Sequence, residues 1–375
     1  MHRNNWVSPK LSSIWLCLRP LFKVYIMKSS LTAVSAVALI TLTLTHSLGL
    51  TPQPVALSMM PVWLLFMLIA ALPLAFVDAV IVRRSQQLPL EGLVPITREA
   101  DAAIFWRLLA PLSILALLLL MGQASHHATH NAAWTQPSLM LKEALPYLVM
   151  FFAVGFAWVG TKRLLPFVGV LVPVALVVNA TTATHIWQLT LLTPEQWQLV
   201  ASTALMSTVS TTGVYAWLLM QQVPVPVKAS TRVVPLWLTQ TLVGLAALAV
   251  GQTTGNIYLV MYMLCAIFAL AVCAEAIGTQ LQAKGWAKPI ALGSVLLACA
   301  VTTTAAEYVG FDEAVKVVAL LTILGFALLT GWIMKISHVR KALNFSSEAV
   351  YNVWRVAIRL LVPITVLWLL VGMVL

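Results

Sequence analysis

Charge is what this sequence has least of. Only 9% of its 375 residues are Asp, Glu, Lys or Arg, while 61% are hydrophobic, and the mean hydropathy is +0.95. A soluble domain carries charge on about a quarter of its residues, so a water-soluble globular chain is excluded. Acid is scarcer still: there are 11 carboxylates, and two of them, Asp78 and Glu275, fall inside apolar runs. Cysteine is thin, with Cys17, Cys265, Cys273 and Cys299 and no CxxC pair. The last three lie in apolar runs and read as small buried hydrophobes, which excludes a disulfide framework or a thiolate metal cluster. A phosphate-binding glycine loop, a dinucleotide turn and a nucleophile–base pair are all missing, so the chain is not expected to be an enzyme, and no cofactor is expected.

What remains is apolar sequence in membrane-length pieces. A bilayer demands about 17 to 25 residues per helix, and eleven runs have that length, near 31–50, 59–82, 104–122, 144–160, 164–181, 198–220, 233–251, 257–280, 288–306, 314–335 and 352–374. Their unbroken hydrophobicity predicts helices and not the alternating strands of a barrel. The net charge of +11 could point to nucleic acid, but its distribution does not. With the N-terminus inside, all of the 22 Lys and Arg except Lys142 and Lys316 fall on or near one face, called the basic face below. That bias sets orientation, and the partners it implies are the bilayer and a small solute, with no nucleic acid. Residues 1–27 are basic and mildly amphipathic. Further spans follow without a cleavage pattern, which disfavours a signal peptide; the segment is either an interfacial helix or sequence ahead of a true start at Met27.

Within this frame several residues are out of place. Ser207-Thr208-Val209-Ser210-Thr211-Thr212-Gly213 puts five hydroxyls and a glycine at the centre of the sixth run. Backbone in hydrocarbon must be satisfied internally, so the stretch either lines a binding site as a broken helix or bonds back onto its own preceding turn. The first run holds Thr41, Thr43, Thr45, His46 and Ser47, whose alternation does not fit one helical face. Spans 1 and 6 are five apart and so enter the membrane from opposite sides. Polar or broken spans at matching positions of two halves point to an inverted-repeat transporter with a midplane site. Asp78 and Glu275 sit near span ends on the basic face, where they can pair with Arg83, Arg84 or helix N-terminal amides, or reach water. Gln240 is expected to bond across spans. His126, His127 and His130 are placed in an outer loop, where solvation is the expectation and a divalent ion the alternative.

In order along the chain, Ala71-Leu72-Pro73-Leu74 to Asp78 before Arg83-Arg84, Gly160-Thr161-Lys162-Arg163 before Pro173, Trp197 to Trp217, Gln240-Thr241, Glu275 to Lys288, Gly331-Trp332, and Asn352 to Pro363 with Trp354 and Arg355 form a series. The series resembles the neurotransmitter:sodium symporters, in particular the shorter bacterial amino-acid transporters with the leucine-transporter fold. The resemblance implies an all-α integral membrane protein of about 11 transmembrane helices, a five-plus-five inverted repeat with one extra helix. It implies halves at 31–181 and 198–335, the added helix at 352–375, and spans 1 and 6 unwound around the solute. It implies a bacterial inner-membrane secondary transporter of a small polar or amino-acid-like solute, with a non-transporting membrane sensor or assembly subunit as the alternative.

By the same resemblance Thr41, Thr43, Thr45, His46, Ser47, Ser207, Thr208, Ser210, Thr211 and Gly213 are the candidate solute-binding residues, and Asp78 stands where the family has a carboxylate holding its core bundle. The outer-gate arginine is replaced by Leu50, and the family's sodium-ligand pair falls on Phe268 and Ala269. A phenyl ring and a methyl cannot replace ion-binding oxygens. Sodium is therefore not expected there, and coupling to protons through His46, Asp78 or Glu275 is the alternative.

Overall fold

The computed structural model describes residues 30–50, 55–130, 139–182, 187–208, 213–221, 228–251 and 256–373. The basic N-terminal segment and the Val209–Thr212 part of the hydroxyl-rich stretch lie outside them. The described chain is helical throughout, apart from one two-residue strand pair. Its helices are α1 (Ser30–Ser47), α2 (Met59–Ser85), α3 (Pro89–Glu99), α4 (Ile104–His130), α5 (Leu139–Val159), α6 (Leu165–Thr181), α7 (Pro194–Ser207), α8 (Val214–Met220), α9 (Ser230–Val250), α10 (Asn256–Ala283), α11 (Lys288–Ala305), α12 (Phe311–Ile333), α13 (Ile336–Leu343) and α14 (Glu348–Gly372). Eight of these are long and apolar enough to cross a membrane: α1, α2, α4, α9, α10, α11, α12 and α14. With α5, α6 and the interrupted pair α7–α8, the eleven expected spans are all accounted for.

Side chains are distributed as a bilayer requires. Leu68, Phe151, Val177, Leu297, Val301 and Ile364 face outward, whereas Thr41, Thr45, Thr203, Ser113 and Gln240 are buried between helices. Hydrocarbon solvates the first set, and helix–helix packing satisfies the second. Small residues set the closest approaches. A methyl on Gly122 of α4 would meet the Thr302 backbone carbon on α11 at 2.6 Å, so that helix pair can pack as it does only with glycine there.

Three spans contain a π-turn: Met67–Ala71 in α2, Leu329–Ile333 in α12 and Ala357–Leu361 in α14. Two of them precede prolines, Pro73 and Pro363, which lack the N–H that would close the helical ladder. Indoles fill the exposed acceptors. Trp237 Nε1 donates to the Met67 carbonyl (2.8 Å), and Trp332 Nε1 donates to the Arg359 carbonyl (3.3 Å), the group that Pro363 leaves open. In return Arg359 Nε donates to the Gly331 carbonyl within the α12 π-turn, and its guanidinium lies over the Trp332 ring.

The two ends of the molecule differ. On the basic face α3 is an amphipathic surface helix in the loop after α2. It is tied down by Arg84–Glu99 (2.7 Å), while Lys335–Asp101 (3.1 Å) joins the same loop to the segment before α13. On the opposite face, Val55–Ala56 (β1) pairs in parallel with Trp187–Gln188 (β2), joining the segments that follow α1 and α6.

Two expectations need correction. The outer loop placed at 123–143 begins later, because α4 stays helical to His130: Gln123 Nε2 donates to Asp312 (2.9 Å), and Ser125 Oγ donates to the Pro146 carbonyl (2.8 Å). Above the hydrocarbon a helix no longer needs apolar residues, so hydropathy loses it. Span 1 is also unbroken where an unwound centre was expected. Thr41 Oγ1 bonds back to Val37 O (2.8 Å), Thr45 Oγ1 to Leu42 O (2.9 Å) and Ser47 Oγ to Leu44 O (3.3 Å), so the hydroxyls need not share a face. The helix simply ends at Gly49, whose φ of 74° lets Leu50 N reach Thr45 O and Gly49 N reach His46 O. This is a glycine-terminated helix end.

Candidate functional site

The sixth span is interrupted. Helix α7 starts on a capping box at Thr193 and Gln196 and runs to Ser207; helicity resumes at Val214. Ser207 Oγ bonds back to Ala204 O (3.2 Å) and Thr208 Oγ1 to Leu205 O (2.5 Å), which closes off the last turn. Gly213 has φ 75°, a conformation that glycine adopts without penalty and other L-residues resist. Of the hydroxyl-rich stretch, Ser207, Thr208 and Gly213 can therefore be placed; Ser210 and Thr211 lie outside the described residues.

Beside the end of α7 is a small cavity of about 20 Å³. Its wall is formed by Ile40, Thr43 and Leu44 of α1, by Leu117, Leu120, Met121 and Ala124 of α4, by Met206 of α7, and by Ala269, Leu270 and Cys273 of α10. That volume holds one water and no solute. The wall is almost wholly apolar, and its one hydroxyl is notable. Thr43 Oγ1 is buried and has no hydrogen-bond partner. In hydrocarbon an unpaired hydroxyl is costly, so the position is suited to a guest that accepts or donates one hydrogen bond.

The other span-1 candidates, Thr41, Thr45, His46 and Ser47, do not line this cavity. His46 lies one turn further along α1, fully enclosed between two tyrosines of α10. Its Nδ1 faces the Leu42 carbonyl at 3.0 Å, and a carbonyl only accepts, so Nδ1 carries the hydrogen. Nε2 then accepts from the Tyr258 hydroxyl, while Tyr262 donates to the Thr43 carbonyl (3.2 Å). Neutral and doubly bonded, His46 pins α1 to α10. Sequence reading missed both tyrosines, although their four-residue spacing puts them on one helical face.

A second polar group sits behind the interruption. Gln240 of α9 donates through Nε2 to Ser207 Oγ (2.9 Å), and its Oε1 accepts from the Tyr215 hydroxyl of α8 (3.2 Å). Gln240 thus bridges the two sides of the break, as expected for a cross-span amide, and Tyr215 is the partner that the sequence did not point to. Gly213 rests against α10 and α3. A methyl there would stand 3.0 Å from Gln280 Nε2 and 3.4 Å from Pro89 Cγ.

The two intramembrane carboxylates differ sharply. Glu275 Oε2 accepts from the Thr161 backbone N–H and from its hydroxyl, both at 2.6 Å, and so caps the turn between α5 and α6. Asp78 is 1% exposed, and neither of its oxygens has a partner. The expected pairing with Arg84 is not made, since that guanidinium holds Glu99, and contact with water is excluded by burial. At the two positions that the resemblance matched to sodium ligands, Phe268 packs on Phe156 with ring centroids 4.8 Å apart, and Ala269 lines the cavity. Neither side chain carries an oxygen. His126 and His130 stack on each other at 3.9 Å on the last turns of α4, and among the described residues no group of three His, Cys, Asp or Glu is placed to hold a metal. Cys265, Cys273 and Cys299 are free and buried.

No protein-family model matches this sequence, and no curated protein matches it. The fold, in contrast, is similar to a solved one. The crystal structure of MhsT in complex with L-phenylalanine superposes with a TM-score of 0.69 at 14% sequence identity, covering 99% of this chain and 100% of that one. Identity that low speaks to architecture alone, and the architecture is that of a multi-pass, all-α membrane protein of the leucine-transporter-like fold.

Proposed function

We propose that this protein is a secondary transporter that moves a small, amino-acid-like solute by alternating access. The observation that carries the reading is the sixth span, interrupted between Ser207 and Val214 beside a cavity shared by α1, α4, α7 and α10. The wall chemistry favours a solute with an apolar body and one polar contact at Thr43. The L-phenylalanine bound in the MhsT structure has an apolar body of this kind.

A cavity of about 20 Å³ is a contracted state. Entry of a solute requires α1 and α7 to separate from α4 and α10, so the moving bodies each take one member from both five-helix halves, 31–181 and 198–335, and their rocking would open the cavity to one face at a time. The positive bias of the loops supports a cytoplasmic N-terminus, and the resemblance supports a bacterial inner membrane. Sodium does not fit the Phe268–Ala269 position, because an ion there would lose two oxygen ligands and gain nothing in return.

The same contraction favours a second reading, a non-transporting paralogue that has kept the fold as a sensor or assembly subunit. A ligand-stability screen separates the two. Purified protein is melted with each of the amino acids and common amines, in sodium and in choline. At least one amino acid should raise the melting temperature equally in both salts. A flat screen supports the sensor or subunit, and stabilisation seen only in sodium removes the sodium-free account.

A further inference from the structure

His46, Asp78 and Glu275 are the groups in the described spans that the sequence marks as proton carriers, and the structure separates them. His46 has both ring nitrogens committed, to Leu42 and to Tyr258. Glu275 is fixed by two donors of Thr161. Only Asp78 is buried with both oxygens unpartnered. A carboxylate in that condition would bear its full desolvation cost with nothing to offset it, and an acid that keeps its proton avoids most of that cost.

The surroundings say what such a proton could control. Asp78 lies on the part of α2 packed against α3, α8, α9, α12, α13 and α14. It is seven residues before Ser85, which is about 10 Å along the axis from the basic end of the helix. Tyr215 stands on α8, which packs against this part of α2. None of the other charged or titratable groups on the packed elements bonds the carboxyl, and several are engaged elsewhere. Glu99 of α3 is held by Arg84 and His338, and Arg340 of α13 is paired with Glu348. Also on these elements are Glu91 and Arg98 of α3, Arg232 of α9, Asp312, Glu313 and Lys316 of α12, Lys341 of α13, and Arg355 and Arg359 of α14, with Arg83 on α2 itself; none of them hydrogen-bonds an Asp78 oxygen.

We propose that Asp78 is a proton-binding site, a neutral carboxylic acid in this state, whose ionisation is relayed to the interrupted span through Tyr215, Gln240 and Ser207. The balance is simple. When the bundle opens on the basic face and admits water to Asp78, loss of the proton leaves a carboxylate that competes with Gln240 Oε1 for the Tyr215 hydrogen. Once Tyr215 turns to Asp78, Gln240 loses the bond that holds it to α8, and the tie across the break is released. Reprotonation restores it. No metal or second substrate is needed. The site would supply the coupling ion that the Phe268–Ala269 position does not, and in that respect the inference rests on the transport reading.

The test has two arms that fail independently. Infrared titration of the full-length protein in lipid reads the carboxylic-acid C=O stretch. The chain has three aspartates, Asp78, Asp101 and Asp312, so carboxyl-¹³C aspartate labelling is nearly site-specific. At neutral pH the wild type should show an acid band that shifts with the label and is lost in D78N. If D78N does not fold, the label and D78E decide alone. A spectrum with no labelled acid band at neutral pH overturns the proposal. In proteoliposomes with L-phenylalanine as probe, a pH gradient should drive accumulation by the wild type, and D78N should lose that accumulation. A labelled acid band in a protein that moves no probe sustains the proton site and counts against the transport reading. Accumulation unchanged in D78N overturns the coupling role.

Discussion

Thr43→Val is the perturbation whose sign is most informative. The two side chains have nearly the same shape, so the substitution leaves the cavity of about 20 Å³ in place and removes only the unpartnered hydroxyl. Burying such a group unpaired costs about 1–3 kcal/mol in protein mutational data. In a bilayer the separated helix can bond the hydroxyl to its own preceding turn, which moves the expectation to the lower end, about 1 kcal/mol. The empty T43V protein should therefore be more stable than the wild type by about that amount, read by reversible unfolding in detergent. Its ligand response should move the other way. One neutral hydrogen bond is worth about 0.5–1.5 kcal/mol, so the best ligand of the screen should bind about 2- to 13-fold more weakly, read as a smaller thermal shift across a concentration series. A residue that merely packs would not show this pair of opposite signs. Reduced stability of the empty protein, or unchanged ligand affinity, refutes the reasoning.

Two further substitutions test the elements that frame the site. Gly213→Ala forces a left-handed backbone onto a residue with a Cβ, at about 1–2 kcal/mol, and also displaces Gln280, whose Nε2 would lie 3.0 Å from the new methyl. Gly213→Asn should be destabilised less than the alanine variant in the same melt, since asparagine tolerates that backbone better. Glu275→Gln keeps an acceptor but removes the charge that strengthens the two 2.6 Å bonds from Thr161. A loss of about 1 kcal/mol is expected, with faster amide exchange localised to the Gly160–Leu164 turn.

The apolar runs made the spans legible because hydrocarbon imposes a length and forbids unpaired backbone. Predicted spans at 59–82, 257–280 and 288–306 correspond to α2, α10 and α11 within a few residues. The interruption of span 6 was legible for a related reason: five hydroxyls and a glycine are a poor filling for a continuous buried helix. Span 1 shows the limit of that argument. Its threonines look the same in sequence, yet Thr41 and Thr45 satisfy themselves on their own helix while Thr43 does not, and only the packing of Tyr258 and Tyr262 distinguishes His46 from a free ionisable group. The π-turns before Pro73 and Pro363 and the Tyr215–Gln240–Ser207 link likewise depend on partners 25 or more residues away, which periodicity cannot supply.

Transport itself is the most direct test. Full-length protein in proteoliposomes preloaded with unlabelled L-phenylalanine is given labelled L-phenylalanine outside, and counterflow is followed with choline and then with sodium as the only external cation. The account predicts counterflow of equal size in both salts. Counterflow that needs sodium would contradict the assignment at Phe268 and Ala269. No counterflow in either salt, from protein that a ligand screen shows to be folded and unresponsive, would contradict the transporter reading as a whole.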